Sequence, residues 1–121
     1  MARVLIIDDD VDFCSMMETV LRSAGHDPAV SSHPIIGAEE AMSGEYDVIT
    51  LDMRVPDLDG ADLTQLFSDL NLKTPVIVLS GHLTGEIRAD LRKAGITRIL
   101  QKPFKSAELL EIISELSASP A

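Results

Sequence analysis

Short apolar runs alternate with amphipathic segments along the whole chain. The apolar runs have the length of β-strands and lie at 4–7, 27–30, 48–51, 76–79 and 99–100. After each run, apolar residues recur at intervals of three and four, which is typical of helices with one buried face. These predicted helices span 11–24, 34–42, 61–70, 86–94 and 106–116. The pattern therefore predicts five βα units in succession.

Repeated βα units are typical of an α/β domain in which helices cover both faces of a parallel sheet. The runs are apolar at nearly every position, as expected for strands that are buried on both faces. Pro28 lies in the second run and cannot donate a hydrogen bond to a neighbouring strand, so we expect this strand at an edge of the sheet. Ligands of such sheets bind beyond the carboxyl ends of the strands.

Polar residues whose side chains can bind ligands or take part in a reaction follow four of the predicted strands. They are Asp8, Asp9, Asp52, Ser80 and Lys102. Because the carboxyl ends of parallel strands meet at one edge of the sheet, we expect these side chains to converge in one crevice. Crowded carboxylates are costly unless a cation neutralises them, and oxygen ligands with open positions suit Mg²⁺. A lysine and a hydroxyl beside the metal would hold the remaining oxygens of a phosphoryl group.

Composition restricts the partners and the location of the protein. The 121 residues fit one domain, and the net charge of −10 argues against direct binding to nucleic acid or to an anionic membrane surface. Residues 1–62 hold 14 acids and 3 bases, so the negative charge is concentrated in the part of the chain that contains all three crevice carboxylates. No apolar run approaches the roughly 18–20 residues that span a bilayer. The single cysteine, Cys14, favours a reducing compartment, and we expect a cytoplasmic protein.

Four motifs in order resemble those of a known family. They are LIIDDD at 5–10, VITLDMRVPDLDG at 48–60, PVIVLSGH at 75–82 and KPF at 102–104. With these motifs the chain resembles the receiver domains of two-component response regulators, including the stand-alone chemotaxis regulator. The resemblance implies a flavodoxin-like (βα)5 three-layer sandwich with strand order 2-1-3-4-5. It also implies a receiver domain over 1–117 and a flexible tail or truncated linker over 118–121.

The resemblance implies a role for each residue of the crevice. Asp52 matches the phosphoacceptor. Asp8 and Asp9 match the acidic pair that organises Mg²⁺, with Mn²⁺ as an alternative, and Asp9 is the more direct ligand of the two. Asp52 itself and the backbone carbonyl of Arg54 complete the expected metal ligands.

Two further positions match residues that contact the phosphoryl group in this family. Ser80 matches the hydroxyl residue that hydrogen-bonds the phosphoryl group and reports its presence. Lys102 matches the lysine that pairs with a phosphoryl oxygen, and the peptide bond to Pro103 is expected to be cis.

The implied function is a phosphorylation-activated signalling switch. A sensor histidine kinase or a phosphotransfer protein would donate the phosphoryl group to Asp52, and a downstream effector protein or domain would read a changed surface. That surface is expected on helix 86–94, strand 99–100 and helix 106–116, through which a homodimer is also an expected arrangement. The chain would catalyse only its own phosphotransfer and autodephosphorylation, so it is not predicted to be an enzyme in the usual sense.

Two alternatives stay open at the level of the sequence. Ile99 stands where many family members carry a Tyr or Phe that rotates inward on activation, so an interaction module that works without phosphorylation is one alternative. A Mg²⁺-dependent phosphohydrolase with an aspartyl nucleophile is the other. Such enzymes need an acid two residues after the nucleophile, and Arg54 occupies that position.

Overall fold

The predicted alternation of strands and helices is present in the structure. The computed structural model describes residues 1–31, 34–41, 45–52, 74–81, 84–93, 95–96 and 98–117. The strands are β1 (Arg3–Ile7), β2 (Asp27–Ser31), β3 (Val48–Asp52), β4 (Val76–Ser80) and β5 (Arg98–Gln101). The helices of the described ranges are α1 (Val11–Ser23), α2 (Pro34–Ala41), α3 (Gly85–Lys93) and α4 (Ser106–Ser117). Each of these elements begins and ends within one residue of its predicted limits.

The five strands form one parallel sheet in the order β2-β1-β3-β4-β5. This confirms the strand order that the resemblance implies. β2 lies at an edge, as expected from Pro28. β1 lies between β2 and β3, and Ile7 of β1 pairs with Leu51 of β3. Asp8 follows Ile7 and Asp52 follows Leu51. The register therefore brings these two aspartates side by side at the carboxyl ends of the strands.

Alternate strand residues pack on opposite faces of the sheet, which produces two hydrophobic clusters. The first cluster consists of Leu5, Ile7, Ile49, Leu51, Val76, Val78, Leu91 and Ile96. The second joins the other face to α1 and α4 and includes Val4, Ile6, Cys14, Met17, Leu21, Val48, Ile77, Leu79, Leu100, Leu109 and Ile113. Each large apolar side chain buried in this way contributes about 1.5–3 kcal/mol relative to an exposed position. These clusters fix the strand ends that carry the polar crevice.

Local signals in the sequence set the limits of α1. Asp10 is the N-cap, and its Oδ1 accepts a hydrogen bond of 3.1 Å from the backbone N–H of Phe13. This cap satisfies one of the N–H groups that a helix start leaves without a partner. Gly25 follows the helix with a φ of 85°, a left-handed conformation that disfavours residues with a Cβ. Asp10 and Gly25 therefore mark the two ends of α1.

Several sequence predictions concern residues outside the described ranges. They are the helix at 61–70, the loop that contains Arg54, and the tail at 118–121. None of the helices in the described parts of the chain combines the length and apolarity needed to cross a membrane.

Neighbouring methionines of α1 offer a matched test of this packing. Met17 is fully buried in the second cluster, whereas Met16 is 42% exposed. We expect Met17→Ala to lower the free energy of unfolding by about 2–5 kcal/mol, because it leaves a cavity in the core. Met16→Ala should cost about 0.5 kcal/mol or less. Urea titration of both variants measures the difference, and equal losses would contradict this arrangement of the core.

Candidate functional site

The buried end of β1 supplies the first carboxylate of the crevice. Asp8 follows the strand directly and is only 1% exposed. Its backbone N–H donates a hydrogen bond to the carbonyl oxygen of Ser31, which ties it to the end of β2. Its Oδ1 accepts a hydrogen bond of 2.9 Å from the backbone N–H of Asp10. The residue that caps α1 therefore also orients the Asp8 side chain.

Asp52 brings a second buried carboxylate to the same place from the neighbouring strand. It is the last residue of β3 and is 3% exposed. Asp9 lies beside the pair and is exposed to solvent. One carboxylate oxygen from each of Asp8, Asp9 and Asp52 lies within 4.8 Å of the other two. The convergence that the sequence predicts for these three residues is therefore present.

Lys102 places its ammonium between the two buried carboxylates. Its Nζ lies 3.6 Å from Oδ2 of Asp52 and 3.7 Å from Oδ2 of Asp8. The side chain is 20% exposed, so these ion pairs are shielded from bulk water on most sides. The following Lys102–Pro103 peptide bond is cis, as the resemblance implies.

A backbone hydrogen bond connects Ser80 to Lys102. It is the last residue of β4, is 3% exposed, and accepts a hydrogen bond of 2.7 Å at its carbonyl oxygen from the backbone N–H of Lys102. Asp52 pairs in register with Leu79, so Ser80 lies one residue beyond it on the adjacent strand. Five of the six predicted site residues are thus at one edge of the sheet. Arg54, the sixth, lies outside the described residues.

Among the residues that the structure describes, the negative charges of this crevice outnumber the positive ones. Three carboxylates face one ammonium in the described residues, and Oδ2 of Asp8 is buried without a hydrogen-bond partner among them. Burial raises the pKa of Asp8 from 3.8 to about 6. The hydrogen bond from Asp10 lowers this pKa, and the charge of Asp52 raises it. An oxygen-rich group with a buried carboxylate oxygen that accepts no hydrogen bond from the described residues fits a small divalent cation such as Mg²⁺.

Phe13 is a member of this site that its sequence pattern does not reveal. The pattern assigns it to the apolar face of α1, and it does pack against the second cluster. Its ring also lies against Lys102, with 4.1 Å from Nζ to the ring centroid. A helical pattern reports which residues face inward, and it carries no information about a contact with a distant loop.

Cys14 is a packing residue of the second hydrophobic cluster. It is buried, and its thiol donates a hydrogen bond of 3.4 Å to the carbonyl oxygen of Asp8. Burial, with the charge of Asp8 as the next cause, raises the pKa of this thiol to about 11. The thiol is therefore protonated at neutral pH and is a poor nucleophile.

The response regulator receiver domain family matches residues 4–114 of this sequence. The chain belongs to this family. Receiver domains of response regulators are signalling switches, not classical enzymes.

Among sequence relatives, the transcriptional regulatory protein CusR of Escherichia coli is 31% identical over 114 residues, which are 94% of this chain and 50% of CusR. The transcriptional regulatory protein PrrA of Mycobacterium tuberculosis is 32% identical over 94% of this chain and 49% of PrrA. The chain thus spans about half the length of these relatives.

Solved receiver-domain structures agree over almost the whole chain. The receiver domain of the Francisella response regulator 1452 is 30% identical, with a TM-score of 0.90 and 98% of both chains covered. The receiver domain of the Pseudomonas aeruginosa sensor histidine kinase PA1611 is 29% identical, with a TM-score of 0.86 and 98% of both chains covered. That second structure has a magnesium ion coordinated in its active-site cleft. The aspartate cluster of this receiver domain has ligands suited to the same ion.

The raised pKa of Asp8 predicts a specific pH dependence of stability without metal. Between pH 3.8 and about 6, the folded chain holds a proton on Asp8 that the unfolded chain releases, so stability falls as pH rises through this window. Asp8→Asn removes this penalty. In chelator-treated protein, the variant should gain on the parent by on the order of 2–3 kcal/mol between pH 4 and pH 7.

Urea unfolding at several pH values measures this gain. Asp12→Asn, which removes an exposed carboxylate from the first turn of α1, is the control and should show no comparable gain. A stability difference between Asp8→Asn and the parent that stays constant from pH 4 to pH 7 would contradict the assignment.

Proposed function

We propose that this receiver domain is a phosphorylation-activated switch whose phosphoacceptor is Asp52. One observation carries the proposal: the Lys102 ammonium lies 3.6 Å from Asp52 and 3.7 Å from Asp8, two buried carboxylates at the ends of adjacent strands. A structural ion pair needs one carboxylate for one lysine. The additional carboxylates beside Lys102 are better accounted for by a site that also takes a cation and a phosphoryl group.

The proposed reaction is transfer of a phosphoryl group from a phosphohistidine. A carboxylate oxygen of Asp52 attacks phosphorus and forms a P–O bond, giving an acyl phosphate. The P–N bond to the donor breaks, its electron pair stays on the imidazole nitrogen, and that nitrogen takes up a proton from solvent. Lys102 would pair with a phosphoryl oxygen, and the hydroxyl of Ser80 would donate a hydrogen bond to another. Hydrolysis of the acyl phosphate by the domain itself would return the switch to its resting state.

Mg²⁺ is the proposed cofactor, with Mn²⁺ as the alternative. Asp8, Asp9 and Asp52 would hold it together with the backbone carbonyl of Arg54. When bound, the ion offsets negative charge that develops on the transferring group. The chain's own contribution is to keep these oxygens converged, since Asp10 orients Asp8 and the sheet register fixes Asp52.

The proposed partners follow from the relatives of this chain. A sensor histidine kinase or phosphotransfer protein would supply the phosphoryl group, and an effector protein or a further domain would respond. CusR and PrrA are transcriptional regulatory proteins of about twice this length, which supports a receiver coupled to an output. The responding surface would consist of α3, β5 and α4, used either for an effector or for a homodimer.

Ile99 bears on how this surface would respond. It lies in β5, is partly buried, and packs against the first hydrophobic cluster. A branched aliphatic side chain has no ring to turn inward, so we propose that the response uses shifts of Ser80 and the β4 end without an aromatic rotation. The alternative of a module independent of phosphorylation has no support from the comparisons.

Phosphorylation by a small donor tests the proposal directly. The protein is incubated with acetyl phosphate, with and without Mg²⁺, and its intact mass is measured. We expect an adduct of about 80 Da that needs Mg²⁺ and is absent from Asp52→Asn. Asp27→Asn, which changes an exposed acid of β2, is the control and should be modified like the parent. No adduct under any condition, or continuous phosphate release without one, would contradict the switch.

Binding of Mg²⁺ gives a second test that does not depend on phosphorylation. Because the ion would bind only the folded chain, the free energy of unfolding should rise by about 2.7 kcal/mol at a concentration 100 times the dissociation constant. Asp9→Asn removes an exposed ligand without disturbing the core, and should reduce this response strongly. Asp12→Asn should keep it. The metal assignment fails if Mg²⁺ does not stabilise the parent, or if it stabilises Asp9→Asn equally.

A further inference from the structure

Lys102 has a third neighbour besides its two carboxylates. The face of the Phe13 ring lies 4.1 Å from Nζ, well within the distance of about 6 Å at which a cation is attracted to the electron-rich face of an aromatic ring. The ring of Phe104 meets that of Phe13 edge to face, at 6.2 Å between centroids and an interplanar angle of 89°. Aromatic pairs favour this geometry, so Phe104 holds the Phe13 ring in place.

The backbone on both sides of this contact is fixed by other interactions. Phe13 lies in the first turn of α1, and its own N–H donates the hydrogen bond to the Asp10 cap. Phe104 follows Lys102 by two residues, and both rings pack against the second hydrophobic cluster. The ring therefore approaches Lys102 from a rigid part of the fold. Holding a long lysine side chain in one position costs rotamer entropy, and the attraction to the ring offsets part of that cost.

The ring differs from the carboxylates in one property that matters for the reaction. The attraction of Lys102 to Asp8 and Asp52 depends on the negative charge of these carboxylates. A bound cation offsets that charge, and conversion of Asp52 to an acyl phosphate replaces its carboxylate with a phosphoryl group. The electron distribution of the Phe13 ring does not change in these steps. It can therefore hold the ammonium at the same place before and after transfer.

We propose that Phe13 is a positioning residue for Lys102, an inference that rests on the proposed function of the site. It does not touch the phosphoryl group. It acts by keeping the Lys102 ammonium aimed at the oxygens of Asp52 while the charges around it change. The alternative is that Phe13 only fills space beneath the loop, in which case the electron density of its ring is irrelevant.

Fluorinated phenylalanines at position 13 separate these two roles. Stepwise fluorination withdraws the negative charge from the ring face with little change in ring shape. With saturating acetyl phosphate and Mg²⁺, we expect the maximal rate of Asp52 phosphorylation to fall with each step, by roughly threefold to tenfold for the fully fluorinated ring. The melting temperature should stay near that of the parent. A rate that does not change across the series would overturn the proposal.

Conventional variants provide a second comparison. Phe13→Leu keeps an apolar side chain but lacks the ring, and should lower the rate of Asp52 phosphorylation to a similar extent. Phe13→Tyr keeps a ring, and its rate should stay near that of the parent. Tyr46→Leu is the matched control. It removes another ring that lies against a cation, that of Arg3, at the amino ends of the strands and away from the crevice. It should leave the rate unchanged. Equal rates for Phe13→Leu and Phe13→Tyr would contradict a role for the ring.

An NMR measurement on metal-free protein makes the outcome independent of phosphorylation. Protons of the Lys102 ε-methylene should be shielded by the ring face, and the shielding should be lost in Phe13→Leu and kept in Phe13→Tyr. Absence of this shielding in the parent would overturn the proposed contact. If the parent shows the shielding but takes up no phosphoryl group, the proposed function fails and the effect of Phe13 on transfer fails with it.

Discussion

The structure depends on the burial of two carboxylates side by side at the carboxyl edge of the sheet. Asp8 and Asp52 are each almost inaccessible to solvent, and one ammonium, that of Lys102, lies between them. Removing such charges from water is unfavourable unless opposite charge and hydrogen bonds replace the lost hydration. A single lysine does this only in part, as the raised pKa of Asp8 indicates. Excess negative charge of this kind among the described residues suits a cation, and we propose that the site uses one.

The strand register determines the positions of the two carboxylates. β1 and β3 are adjacent, and their register continues from Ile7 and Leu51 directly into Asp8 and Asp52. The hydrophobic clusters on both faces hold the strands in that register, because a shift by one residue would turn apolar side chains towards the wrong face. The crevice is therefore a consequence of the same packing that stabilises the sheet.

The sequence predicts the sheet and most of the site because both depend on local patterns and one topological rule. Strand-length apolar runs, Pro28 in the second run and acids at strand ends are all readable from the chain. Three features were not predictable in this way. The run of aspartates at 8–10 does not reveal that Asp8 is buried, that Asp9 is exposed, or that the N–H of Asp10 orients Asp8.

The contact between Phe13 and Lys102 has the same origin. It joins the first turn of α1 to the loop after β5, and only the assembled sheet brings those segments together. Periodicity places Phe13 on a buried face, but the identity of the group it meets depends on three-dimensional packing. A single sequence therefore does not predict which residue of one segment supports a reactive side chain in a distant segment.

The position of the phosphoryl group within the chain is the most direct test of the account. After treatment with acetyl phosphate and Mg²⁺, borohydride reduces an acyl phosphate to an alcohol and so converts the modified aspartate to homoserine. Cleavage after arginine then separates Asp8 and Asp9, in the peptide 4–22, from Asp52, in the peptide 23–54. We predict homoserine at position 52 alone. Homoserine at Asp8 or Asp9, or none in either peptide, would contradict it.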